Sequence, residues 1–373
     1  MREAPIYLDH NATTPLRPQA KVAMQELFEP VGNPSSVHGF GRAVRCAIED
    51  AREQVASLAG VAPAGVVFTS GGSEANNLAL VGCGRSRILV SAVEHDSVLA
   101  AVCEAERVPV DADGMIDLAA LERLLAADSL PAMLSLMAAN NETGVLQPVA
   151  EAAAIARRYG AMIHCDAVQA AGRVGLNMAA LGIHMMTLSA HKLGGPMGAG
   201  ALLLAEGADV APTIRGGGQE RRRRAGTENA PAIAGFGAAV AALGDGVAES
   251  RRLAGLRNDL ECAVRARVPS VRIFGDGVAR IANTSCLAMP GLGNETQVMA
   301  LDLAGVAVSA GAACSSGKVG ASHVLSAMGV DDAVARSAIR VSLGWTSTAA
   351  DVGRFVEAWS LLYERTAAAR NAA

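Results

Sequence analysis

The chain has 373 residues, 51% hydrophobic and 18% charged, with a formal net charge of −4. That is a globular profile, long enough for two or three domains and a substantial core, and its charge gives no general attraction to nucleic acid or to an anionic membrane. The first residues, Met1 to Pro5, lack the apolar core of a secretory leader and no apolar run reaches membrane-spanning length, so a cytoplasmic protein is expected.

Seven cysteines, an odd number with no CxxC pair, argue against a disulfide framework and a structural zinc site. No metal is expected, and the compartment is read as reducing.

Tyr7-Leu8 leads into a polar, turn-rich stretch, Asp9 to Pro15. Pro18 to Phe28 and Arg42 to Leu58 carry helical spacing, separated by the loop Gly32 to Ser36. Beyond them, short apolar runs alternate with helical patterns. Val66 to Thr69, Arg87 to Val93, Ala132 to Ala138, Ala161 to Cys165 and His184 to Leu188 read as strands. Ser73 to Val81, Ser97 to Ala105, Leu118 to Ala126 and Val149 to Tyr159 read as helices. This order implies a mostly parallel sheet covered on both faces, with ligands at the carboxyl ends of its strands.

Thr227-Glu228-Asn229 reads as a helix start, and Gly244-Asp245-Gly246 as a boundary before a helix to about Val268. Four further strands, Val271 to Phe274, Asn283 to Ala288, Val306 to Ser309 and Ile339 to Leu343, alternate with helices in a smaller α/β unit. The Ala-rich tail from Thr366 is expected to fray.

The chemistry gathers at the predicted strand ends. Lys192 stands between the apolar runs His184–Leu188 and Ala201–Leu204, beside Ser189 and His191 and ahead of a glycine-rich stretch. Partial desolvation there lowers an amine's proton affinity, and a neutral lysine is the nucleophile that forms Schiff bases; an exposed hairpin turn is the plainer alternative. Ser70-Gly71-Gly72-Ser73-Glu74 offers free helical N–H groups to a phosphate, or is only a helix start capped by Ser73. Asp166 ends a buried strand, where it can pair with a protonated ring nitrogen or cap a helix, and Gln169 is spaced to reach a neighbouring ring oxygen. His95 can stack on a ring and shuttle protons, or be structural. Arg340, a charge inside a strand pattern, needs an anion: a substrate carboxylate or a structural carboxylate.

Cys314 lies in the small-residue stretch Gly311 to Gly320, beside Lys318, in a setting that suits an exposed nucleophile. Cys46, Cys83, Cys103, Cys165, Cys262 and Cys286 lie in apolar patterns and read as packing. Arg221 to Arg224 reads as a solvated basic loop, with a basic patch facing a partner as the alternative.

Together with Asp9-His10-Asn11-Ala12-Thr13-Thr14-Pro15, Gly32 to Ser36 with His38, Asn140 to Gly144 and Arg224 to Asn229, these residues resemble the cysteine desulfurases, within the aminotransferase class V group of pyridoxal 5'-phosphate (PLP)-dependent fold-type I enzymes. The resemblance runs from Tyr7 to about Leu362. It implies a large PLP-binding domain, residues 16–247, built on a mostly parallel seven-stranded sheet. Residues 1–15 and 248–373 would form a smaller α/β domain carrying the Cys314 loop at about 310–321.

The resemblance also implies roles. Lys192 would hold PLP covalently, His95 would stack on the ring and assist proton transfer, and Asp166 and Gln169 would engage the ring nitrogen and phenolate oxygen. Gly72, Ser73, Ser189 and His191 would bind the phosphate, joined by Thr227 from the second subunit of a homodimer. Asn141 and Arg340 would hold the carboxylate of L-cysteine, and Cys314 would take its sulfur as a persulfide, releasing L-alanine. The Cys314 loop resembles that of enzymes supplying sulfur to iron–sulfur cluster scaffolds, including the nitrogenase-associated form.

Two departures stand out. Ala312 occupies a position where the family usually has Ser, and the sequence lacks the Leu-Ser-Pro-containing extension that helps some relatives dock a scaffold. Selenocysteine lyase activity, or sulfur supply to tRNA or cofactor thiolation, fits the same residues.

Overall fold

The computed structural model describes residues 4–244, 246–311 and 321–371. Seven strands form the central sheet, in the order Val66–Thr69, Gly200–Leu204, Met185–Ser189, Met162–Asp166, Ala132–Ser135, Arg87–Ser91, Glu106–Val108. Only Gly200–Leu204 runs antiparallel to its neighbours. Apart from the edge strand Glu106–Val108, these strands are almost wholly buried, as a sheet covered by helices on both faces requires.

One face packs on Gly39–Ala59, whose buried Val44, Ile48, Ala51 and Val55 recur at helical spacing, and on Ala230–Ala241. Gly72–Gly82 sends Ala75, Leu78 and Ala79 into the other face, against Val67, Val90 and Leu202.

A second apolar cluster lies around the carboxyl-terminal strands. Thr284–Ala288 pairs antiparallel with Ala338–Ser342 and Arg272–Ile273. Val306–Ala307 does not join them; it pairs in parallel with Ile6–Tyr7. The amino-terminal strand thereby lays Asp9 beside Ser342 in an isolated bridge. Helices Val247–Arg267 and Ala349–Asn371 cover this cluster, with Phe355 and Trp359 stacked and wholly buried.

The last helix runs through the alanines after Thr366 to Asn371, in keeping with alanine's high helix propensity. The helix expected over Ser97 to Ala105 shrinks to Asp96–Leu99, and the chain then turns into the edge strand Glu106–Val108. Among the described residues, no helix is long and apolar enough to cross a membrane.

Candidate active site

Strand Met185–Ser189 is buried throughout and ends in a single tight turn, Ala190–Lys192. The chain returns as Gly200–Leu204, and Gly194 and Gly198 (φ +86° and +80°) take backbone conformations that L side chains rarely adopt. Gly200 permits the closest approach: a Cβ there would lie 2.5 Å from the carbonyl carbon of Gly71. The lysine turn is thereby pressed against the start of helix Gly72–Gly82.

Lys192 is half-buried and its Nζ donates to the carbonyls of Asn11 and Ala12 at 2.5 and 2.7 Å. It is thus not an exposed hairpin lysine. It lines a cavity of about 410 Å³ at the carboxyl ends of the strands, where open α/β sheets bind ligands.

The same cavity gathers ten of the residues singled out in the sequence: Gly72, Ser73, His95, Asn141, Asp166, Gln169, Ser189, His191, Lys192 and Arg340. Thr227 is exposed and does not line it, and Cys314 lies outside the described residues, with Ala312 and Lys318.

Helix Gly72–Gly82 has no side-chain cap, since Gly71, not Ser73, occupies the cap position. Its start opens onto the cavity with Ser189 and His191, where free helical N–H groups suit an anion. His191 Nδ1 is buried without a hydrogen-bond partner. Burial and the neighbouring Lys192 charge lower the His191 pKa to about 4. A phosphate dianion would supply the missing partner and draw the proton back.

Across the cavity, Asp166 Oδ2 accepts from Asn76 Nδ2 at 2.7 Å and Oδ1 from the Val168 N–H at 3.0 Å. No Lys or Arg pairs with Asp166 among the described residues, so its wall suits a ligand bearing a protonated ring nitrogen. Nearby Glu94 is fully buried; desolvation, then the Asp166 charge, hold its carboxyl far above the ordinary range. Its Oε1 accepts from the Met137 N–H at 2.6 Å and its Oε2 has no hydrogen-bond partner.

Gln169 Nε2 donates to the Asn11 carbonyl at 3.0 Å, and its Oε1 accepts from Arg173 at 2.6 Å, which fixes the amide's orientation. Arg340 donates to the Asn141 carbonyl at 3.0 Å and to Asp9 Oδ1 at 2.7 Å, while its Nε is buried without a partner. A structural carboxylate and an open donor therefore coexist on one guanidinium.

Asp9, Asn11, Asn76 and Ser97 also line the cavity, though the sequence reading gave them no role there. For Asn76 a signal existed: it is a polar residue among the inward-facing Ala75, Leu78 and Ala79. The cysteines also differ from expectation. Cys165 and Cys286 are buried and Cys83 partly so, but Cys46, Cys103 and Cys262 are exposed. Cys46 and Cys262 sit on the outward faces of long helices. Of the four arginines at 221–224, two are in ion pairs: Arg223 with Asp209 and Arg224 with Glu74.

A half-buried lysine, an uncapped helix start and a carboxylate without a cationic partner thus share one cavity of an α/β sheet, a set whose chemistry suits a phosphorylated ring. The chain belongs to the aminotransferase class-V family, which it matches over residues 6–355. Its relatives include a cysteine desulfurase of Cereibacter sphaeroides, 46% identical with 94% of each chain covered. The solved structure of a NifS-like protein from Rickettsia africae superposes with a TM-score of 0.90 at 38% identity, covering 96% of this chain and 99% of that one. A structure described as SspA in complex with cysteine superposes at 0.78 with 28% identity, covering 90% and 98%.

Proposed function

We propose that this chain is a PLP-dependent cysteine desulfurase that removes sulfur from L-cysteine, releases L-alanine and passes the sulfur to iron–sulfur cluster assembly. The observation that carries the reading is the convergence of Lys192, Asp166, His191, the uncapped helix start and Arg340 on one cavity.

Lys192 would hold the cofactor covalently. Gly72, Ser73, Ser189 and His191 would seat its phosphate, Asp166 would hold the proton on its ring nitrogen, and Gln169 would face its phenolate oxygen. Bound there, PLP supplies an electron sink for charge developing at the substrate Cα. Asn141 and Arg340 hold the substrate carboxylate, and the Lys192 amine moves the Cα proton.

Cys314, as thiolate, takes the substrate sulfur: a Cys314 S–S bond forms, the substrate Cβ–S bond breaks, and the carbon skeleton leaves protonated as alanine. The products are one alanine and one persulfide, with no external oxidant or reductant.

Thr227, exposed on its own chain, would complete the phosphate seat of a second copy in a homodimer. Exposed Phe28, Val31, Val37, Phe40 and Met197 supply apolar surface for such contact.

The test is incubation of the purified, PLP-loaded protein with L-cysteine, following alanine and sulfide. Lys192→Ala should make neither and give no borohydride-fixed cofactor on the chain. Absence of alanine from the intact protein, or a fixed adduct surviving in Lys192→Ala, contradicts the reading.

A further inference from the structure

His95 is joined to Asp166 by a directed chain of hydrogen bonds through two unassigned residues. His95 caps the short helix Asp96–Leu99, and its Nδ1 accepts the Ser97 backbone N–H at 3.1 Å. A nitrogen that accepts an N–H bond carries no proton. Ser97 Oγ lies 2.8 Å from the same Nδ1. Asn76 Nδ2 donates both of its hydrogens, one to Ser97 Oγ at 2.8 Å and one to Asp166 Oδ2 at 2.7 Å.

The chain takes its direction from its two ends, the acceptor Asp166 and the Ser97 N–H bound to Nδ1. An ionised carboxylate only accepts, so the nitrogen of Asn76 must face Asp166. Asn76 keeps this orientation although its Oδ1 is buried without a partner. Ser97 Oγ accepts from Asn76, which directs its own hydrogen to Nδ1 of His95.

We infer that Ser97 and Asn76 are positioning residues that hold neutral His95 with its proton on Nε2 and tie it to Asp166. The consequence for the reaction rests on the desulfurase reading above. A neutral imidazole in this tautomer donates from Nε2 and cannot accept there. The Cα proton then goes to the Lys192 amine, while His95 keeps its own proton and offers only a hydrogen bond from Nε2–H.

The test is nitrogen-15 NMR of histidine-labelled protein at neutral pH, both PLP-loaded and cofactor-free, with the His95 signals assigned by their loss in His95→Gln. The wild type should show an unprotonated, hydrogen-bonded Nδ1 and a protonated Nε2. Ser97→Ala should shift Nδ1 toward the position of a more weakly hydrogen-bonded nitrogen, and Ser97→Thr, which keeps the hydroxyl, should restore the wild-type signal. A wild-type proton on Nδ1, or a Ser97→Ala spectrum with Nδ1 unmoved, overturns the inference. Failure of the desulfurase reading would appear separately, as no alanine from L-cysteine with the tautomer intact.

Discussion

Arg340 and Asp9 come from opposite ends of the chain and meet at 2.7 Å in the cavity wall, with side chains only 6% and 19% exposed. The parallel pairing of Ile6–Tyr7 with Val306–Ala307 and the bridge of Asp9 to Ser342 deliver the carboxylate to the guanidinium. If Arg340 also receives the substrate carboxylate, Arg340→Ala should lower kcat/KM for L-cysteine by about 10- to 150-fold, equivalent to about 1.5–3 kcal/mol for hydrogen bonds to a charged group. Most of that loss should appear in KM while cofactor content stays unchanged. Steady-state kinetics beside cofactor absorbance checks this, and an unchanged KM contradicts it.

Glu94 gives a pH prediction. Its folded-state pKa lies well above the ordinary 4.5. As pH rises past 4.5 the unfolded chain releases this proton while the native one keeps it, so the residue's contribution to stability falls with rising pH. Glu94→Gln imitates the protonated acid and removes that penalty. The variant should gain stability over wild type between pH 5 and 7.5, as read by urea unfolding at both. A difference that stays constant or narrows toward high pH would show that Glu94 is ionised when folded.

Glu220 is the anchor of an unusual turn. Glu220, Arg221 and Arg222 have φ of 44°, 56° and 69°, a conformation that disfavours side chains. The Glu220 carboxylate compensates by accepting Arg52 at 2.8 and 2.9 Å and the Phe68 N–H at 2.9 Å, in a buried pair. Glu220→Ala leaves the Arg52 charge without its buried partner and should cost about 3–5 kcal/mol. Arg52→Met with Glu220→Leu should recover part of it. Denaturant midpoints measure both, and a single-variant cost under about 1 kcal/mol contradicts the pair's importance. Because the turn leads into Thr227, Glu220→Ala should also weaken cofactor retention if Thr227 serves a second copy.

The central strands were legible because burial on both faces leaves continuous apolar runs, and Val66–Thr69 agrees to the residue. Glu106–Val108 was not legible: it is an edge strand with two charged residues out of three and no apolar alternation. Lys192, Asp166 and His95 announced themselves as polar groups at strand ends. Asp9 and Ser97 did not, and Asn76 showed only as a polar residue on a buried helix face, because their roles arise from contacts with residues far along the chain, such as Asn76 with Asp166 and Asp9 with Arg340. The exposed Cys46, Cys103 and Cys262 were misread because apolar content alone does not show which face of an alanine-rich segment turns inward.

Those exposed thiols set the conditions for the decisive measurement, since each can take up sulfur adventitiously. The PLP-loaded protein is given L-cysteine without reductant, quenched after a single turnover, and mapped by peptide mass spectrometry beside an alanine assay. One added sulfur is expected on the peptide carrying Cys314, in proportion to the alanine released. Cys314→Ala should bind the cofactor but yield almost no alanine, while a triple Cys46→Ser, Cys103→Ser, Cys262→Ser variant should behave as wild type. Alanine and persulfide at the wild-type rate from Cys314→Ala, or first-turnover sulfur on another cysteine, would contradict this role for Cys314.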